Sequence, residues 1–115
     1  IRFLTPHATP RPTAMNQLVL QATVVERAAL RHTPAGLPAL DVRLAHASQV
    51  EHAGMPRQVA LEIHATAIGE TAGRLQQLQV GQEALFQGFL GKQRSGRGVM
   101  FHISSFQSVP HTSAP

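Results

Sequence analysis

Residues 39–48, A-L-D-V-R-L-A-H-A-S, alternate apolar and outward-type side chains: Leu40, Val42 and Leu44 fall on one side, Asp41, Arg43 and Ala45 on the other. A period of two is the pleat of an extended strand with one face on a core and the other in solvent, and a helix cannot satisfy it. The demand recurs at Gln17 to Arg27, Q-L-V-L-Q-A-T-V-V-E-R, where Leu18, Leu20, Ala22 and Val24 share a face. Val19, Thr23, Val24 and Val25 there favour extended backbone. It recurs again at Arg57 to Thr66, R-Q-V-A-L-E-I-H-A-T, with Val59, Leu61 and Ile63 on one side and Gln58, Ala60, Glu62 and His64 on the other. Two more apolar stretches, Glu83 to Gly91 and Gly98 to Val109, read as a fourth and a fifth strand.

The intervening segments carry turn chemistry. Pro34, Gly36 and Pro38 interrupt residues 28–38, and Gly54 and Pro56 mark a loop over Gln49 to Pro56. Helical spacing occurs within Ala65 to Leu78, where Thr71 can cap and Ala72, Leu75 and Leu78 recur on one side. Gly69 and Gly73 make that helix a weak one. Five strands with a short helix between the third and fourth is the order of the OB-fold, a five-stranded Greek-key barrel. The expected fold class is therefore all-β, with one domain over residues 15–109 and a flexible polar tail at 110–115. Ile1 to Ala14 contains Pro6, Pro10 and Pro12, has no periodicity and is followed by Met15. It reads as a leader or upstream extension outside the fold; the alternative is a natural arm whose Arg2 and Arg11 touch a partner.

The chemistry concentrates in residues 84–101, A-L-F-Q-G-F-L-G-K-Q-R-S-G-R-G-V-M-F. Lys92, Arg94 and Arg97 crowd a tip that contains no acid, and Gly96 and Gly98 let that tip bend. Phe89 stands just before it and Phe101 just after it. Cations that meet phosphates, beside rings that meet bases, suit a single-stranded nucleic acid. OB-folds bind oligonucleotides on one sheet face and on the loops joining strands one to two and four to five. Here those loops are Ala28–Leu37, which holds Arg31 and His32, and Lys92–Arg97. Alternation along the fourth strand places Phe86, Gly88 and Leu90 inward and Phe89 outward on the binding face. Phe101 and Phe106 read as core or dimer contacts. The competing reading of the tip is an ordinary solvated hairpin loop, and the competing reading of Phe89 is core.

Other function classes find little support. The chain has no cysteine, so it has no thiolate metal site and no thiol nucleophile. None of the histidines His7, His32, His46, His52, His64, His102 and His111 falls in a metal-binding spacing. Structural or surface roles are expected for them; whether His46 and His102 meet, across strands two and five or near a dimer seam, is left open. Glu26, Asp41, Glu51, Glu62, Glu70 and Glu83 are scattered, Ser104 and Ser105 lack a nucleophile elbow, and no P-loop is spelled. No catalysis, cofactor or metal is expected. No apolar run approaches the roughly 20 residues of a membrane span. The net charge of +4 falls to +2 without Arg2 and Arg11, so the nucleic-acid argument rests on local clustering.

Four stretches carry a family resemblance: N-Q-L-V-L-Q-A-T-V-V from Asn16, T-P-A-G-L-P from Thr33, V-R-L-A-H-A-S from Val42, and V-G-Q-E-A-L-F-Q-G-F-L from Val80. Their order, the loop lengths, the Q-G-F of strand four and the pair His46 and His102 together resemble the bacterial primosomal replication protein N family, PriB, from Met15 to about Val109. Single-stranded DNA-binding protein shares the fold but usually carries more stacking aromatics. The resemblance implies a homodimer of OB-folds in the bacterial cytoplasm, associated with the nucleoid, that binds single-stranded DNA during replication restart without catalysis. It implies as partners the PriA restart helicase, DnaT in some bacteria, and single-stranded DNA-binding protein.

The family's basic tip in the strand four to five loop matches Lys92, Arg94 and Arg97, and its aromatic ahead of that loop matches Phe89. Its arginines at the start of strand three and the end of strand one match Arg57 and Arg27. Its strand-three tryptophan falls on Ala60, and a further aromatic just before that strand falls on Met55. Two stacking groups are therefore missing, at about 1–3 kcal/mol each. Two function classes follow: a single-stranded DNA-binding module that recruits a helicase, or a dimeric OB-fold interaction protein that mainly docks protein partners and binds single-stranded DNA or RNA weakly. The dimer seam expected from the sequence is the first strand, where Leu18, Val19, Leu20 and Val25 put apolar side chains on both faces.

Overall fold

A computed structural model describes residues 14–94 and 96–109. The leader short of Ala14 and the tail at 110–115 lie outside the described residues. The elements are β1 (Leu18–Arg27), β2 (Arg31–His32), β3 (Pro38–His52), β4 (Met55–Ile68), α1 (Glu70–Gln76), β5 (Glu83–Lys92) and β6 (Val99–Ser108). The sheet runs β1-β5-β6-β4-β3-β2, and β1 also pairs with β3, which closes the barrel. All pairings are antiparallel except β4–β6. This is the five-stranded OB-fold with one short helix, and β2 adds a two-residue strand to the loop after β1.

Closure depends on β1 changing partners. Leu18 to Thr23 pair with β5, and Thr23 to Arg27 pair with β3, with a bulge between Val24 and Glu26. A bulge bends and twists a strand, which a sheet needs in order to curl onto itself. A second irregularity, between Gln87 and Gly88, leaves Ser104 as an extra residue on β6. It resets the alternation, so Phe101, Ile103 and Phe106 all face the core although strict alternation would turn Phe106 outward. At Gly88 a side chain is impossible, because a Cβ there would lie 1.8 Å from the His102 carbonyl oxygen.

The core holds Val24, Leu40, Leu44, Leu75, Phe86 and Phe101, with Phe86 and Phe106 rings 5.7 Å apart. The helix spans less than expected, since residues 65–68 belong to β4. Its N-cap is Gly69, at φ 81°, and Thr71 caps nothing; its hydroxyl donates instead to the bulged Ser104 carbonyl at 3.1 Å. Ala72, Leu75 and Leu78 form the buried face that packs with the core, as their spacing demands.

The largest departure is the expected loop over Gln49 to Pro56. There β3 and β4 continue as a paired ribbon to His52 and Met55, joined by a two-residue turn. Ala53 at φ 56° and Gly54 at φ 77° give the two left-handed positions of a type I′ hairpin turn. The ribbon outruns the barrel, so Leu61 is exposed and Val59 only half-buried, although both keep the inward phase of Ile63 and Ala65.

Candidate nucleic-acid interface

One row of outward side chains crosses the barrel. Asp41 on β3 pairs with Thr66 on β4, Thr66 with His102 on β6, and His102 with Phe89 on β5. Cross-strand partners share a sheet face. Phe89 is 44% exposed, and its ring lies parallel to the His102 imidazole, within 6° and with 4.9 Å between centroids. Gly91 makes the arrangement fit: a Cβ there would sit 2.8 Å from His102 Nε2, so the imidazole occupies the space a side chain would fill.

Beside this stack, β5 and β6 run into the basic loop. The Gln93 amide donates to the Gly98 carbonyl at 3.2 Å, and the Gln93 side chain donates to the Val99 carbonyl at 3.3 Å, which closes the loop base. Gly96 and Gly98 take φ values of 78° and 104° within it. Lys92, Arg94 and Arg97 are all exposed. Lys92 lies opposite Val99, in the alternate phase to Phe89.

The loop after β1 arrives at the same place. Arg31 Nε and Nη2 donate to Asp41 Oδ2 and Oδ1 at 3.1 and 3.0 Å, and Arg94 Nη2 lies 3.7 Å from Oδ2. The Thr66 hydroxyl has two acceptors in reach, this carboxylate and the Leu40 carbonyl at 3.4 Å. Burial pushes the Asp41 carboxyl up, but hydrogen bonds from Arg31 and Thr66, with the charges of Arg31 and Arg94, outweigh it and hold the group below the usual carboxylate range. The same pairing raises Arg31, against a smaller opposing effect of burial. Asp41, His64, Gln93, Arg94 and Met100 line a notch where the basic loop meets the sheet.

The remaining sequence-identified residues stand elsewhere. Arg27 donates to the Gln76 and Leu78 carbonyls at 2.6 and 2.7 Å, so it satisfies the C-terminal end of α1. Arg57 and Met55 sit near the tip of the β3–β4 ribbon, opposite Val50 and His52, in the phase of Leu61 and not that of Phe89. Arg57 is nine positions along β4 from Thr66, roughly 30 Å of extended chain. Ala60 does share the phase of Thr66 and is exposed. The histidines open to question do not meet: His46 pairs with Leu61 and bonds Gln21 O and Ser48 Oγ, while His102 lies beside Thr66 on the far side of β4.

Two residues of the site went unremarked in the sequence as functional: His102, beneath the ring, and Asp41, between the loops. Alternation with buried Phe101 and Ile103 turns His102 outward, and Leu40 and Val42 do the same for Asp41; what each meets depends on strand register. Among the described residues, no three His, Asp or Glu side chains converge as a metal site requires, and no helix is long and apolar enough to cross a membrane.

Comparison with known proteins agrees with this architecture. Residues 16–105 match the model of a family described as another single-strand binding protein family. Replication restart protein PriB of Bordetella pertussis is 51% identical over 80 residues, covering 70% of this chain and 75% of that one. The solved structure of PriB from Ralstonia solanacearum superposes with a TM-score of 0.77 at 37% identity, covering 83% of this chain and 98% of that one. Single-stranded DNA binding protein from Thermus aquaticus superposes at 0.67 and 26% identity, over 84% of this chain and 50% of that one. With the barrel order, the short helix and these likenesses together, the chain belongs to the PriB family of OB-fold single-strand binding proteins.

Proposed function

We propose that this chain binds single-stranded DNA across the face carrying Phe89 and acts without catalysis in bacterial replication restart. The observation that carries the proposal is the half-exposed Phe89 ring, stacked on His102, on the same sheet face as Asp41, where Arg94 of the basic loop lands. A base lies on the free side of Phe89, and the backbone runs past the basic loop. Arg94 and Arg97 are phosphate contacts on a bendable loop, with Lys92 at the end of β5 as a third. Arg31 adds a further cation on the same face, bonded to Asp41. Arg57 and Met55 belong to a second, outlying contact along the ribbon, and Arg27 serves the helix end.

The names of the similar proteins, replication restart protein PriB, support a role in replication restart; a cytoplasmic location and the PriA helicase as protein partner are what the family resemblance implies. A homodimer is supported by β1: residues 18–22 pair only with β5 among the described residues, which leaves one strand edge open. Light scattering that gives the mass of one chain at micromolar concentration rules the dimer out.

The test is fluorescence anisotropy with single-stranded and duplex oligonucleotides of matched length across a salt series. Preferential single-strand binding that weakens with salt is expected, and Arg97→Ala should flatten the slope by roughly 0.7. Equal or absent binding of both forms removes the reading. A second reading, a docking module that engages mainly protein, is favoured by the exposed Val50, Met55 and Leu61 on the ribbon and by Ala60 in place of a stacking ring. It predicts helicase binding that survives the loss of the basic loop.

A further inference from the structure

Two basic loops from distant parts of the chain converge on one carboxylate. Arg31 holds Asp41 as a fork, with two hydrogen bonds near 3.0 Å. Such a planar bidentate pair is the strong form of the interaction. Arg94 is held differently: its Nη2 is 3.7 Å from Oδ2, too long for a hydrogen bond, and its side chain is 67% exposed. It is attracted by charge alone, in water. Glu26 and Glu62, two other acids of this sheet, are paired with Arg43.

We propose that the Asp41 carboxylate stands in for a DNA phosphate, occupying Arg94 in the free protein and yielding it when a strand binds. The proposal rests on the reading of this face as a single-stranded DNA interface and adds an internal competitor to it. Asp41 lies three strand spacings from Phe89 along one row, roughly 14 Å, so a strand stacked on Phe89 and crossing the sheet passes the notch at Arg94. A phosphate there meets Arg94 unhindered only if Asp41 lets it go. The bond that breaks is the loose one; the Arg31 fork stays intact and keeps the acid in place. Asp41 thereby lowers affinity and hides one cation from the salt dependence.

The experiment is a cycle of Asp41→Asn, Arg94→Ala and the double variant, titrated with a fluorescent oligothymidylate at several salt concentrations. Asp41→Asn is expected to tighten binding about two- to five-fold at low salt and to steepen the salt slope by about 0.7. In the Arg94→Ala background the gain should shrink to less than about two-fold. A parent chain that binds while Asp41→Asn binds equally or more weakly overturns the proposal and leaves the interface reading standing. A full gain without Arg94 also overturns it, because the effect is then general charge repulsion. A parent chain that binds no oligonucleotide removes the interface reading and this proposal with it. If Asp41→Asn melts too low to assay, the side-chain carboxylate carbon of Asp41 is followed by NMR in the unaltered chain. It should shift on saturation with oligothymidylate; an unmoved signal with DNA bound refutes the exchange.

Discussion

Phe89 and His102 are direct cross-strand partners whose rings stack in parallel, 4.9 Å between centroids, on the solvent side of β5 and β6. One side of the phenyl ring is thus occupied by protein, which fixes the orientation of the other. An aromatic held on a strand and backed by a second ring loses little freedom when a base settles on it. Phe89→Ala should weaken single-strand binding by about 1–3 kcal/mol and leave the salt slope unchanged. A large fall in melting temperature without a binding defect would show the ring to be structural.

The two glycines around His102 separate packing from function. At Gly88 the obstacle is backbone, 1.8 Å from a new Cβ, and cannot move. Gly88→Ala should cost about 3 kcal/mol or more in denaturant unfolding. At Gly91 the obstacle is only the end of the His102 side chain, at 2.8 Å. Gly91→Ala should keep most of the stability while pushing the imidazole off Phe89, so its binding defect should resemble that of His102→Ala.

Asp41 makes stability depend on pH in one direction. Its folded-state carboxyl titrates below the unfolded one, so its contribution is complete above the ordinary carboxylate range and is lost as pH falls through the depressed native value. Asp41→Asn lacks that contribution at every pH. The gap in melting temperature between parent and variant should be widest near neutrality and narrow in acid. A constant gap would mean that the charge of Asp41 does not stabilise the fold.

Ala60 is exposed in the phase of Thr66, where the resemblance expects a tryptophan. Ala60→Trp should extend the stacking surface along β4 and tighten binding by about 1–3 kcal/mol. Unchanged affinity would confine the strand's path to the β5–β6 side.

At the ribbon turn, Ala53 holds φ 56°, a region that costs an ordinary L-residue roughly 1 kcal/mol. Ala53→Asn should raise unfolding stability by about 0.5–1 kcal/mol, because Asn-Gly is the preferred pair there. A neutral or lower value would mean that the neighbouring strands already dictate the turn.

Most of the barrel was legible because half-buried strands announce themselves. Leu40, Val42 and Leu44, or Leu18 to Val24, can be solvated on one side only. Phe89 was legible as outward by the same rule. The ribbon over residues 49–56 was not, because it buries too little for a pattern to be required: Gln49 and Glu51 are solvated whichever way they face. Arg27 misled for a different reason. A cation near a strand end looks alike whether it meets a phosphate or the carbonyls of a helix, and only the fold brings Gln76 and Leu78 to it. Asp41 and His102 needed register, which sets partners on other strands and which local alternation does not encode.

The exchange of partners by β1 at Thr23 also orders events in time. Residues 18–23 can find their ladder only when residues 83–88 exist and have been brought back to them. The β3–β4 ribbon, by contrast, needs only its own two-residue turn and can zip early. Joining residues 18–23 to residues 83–88 closes a far longer loop, which is entropically slow. During synthesis residues 18–22 of the first strand therefore wait, largely apolar and unpaired, until β5 is made, and in that interval they are open to capture by a chaperone or by another nascent copy.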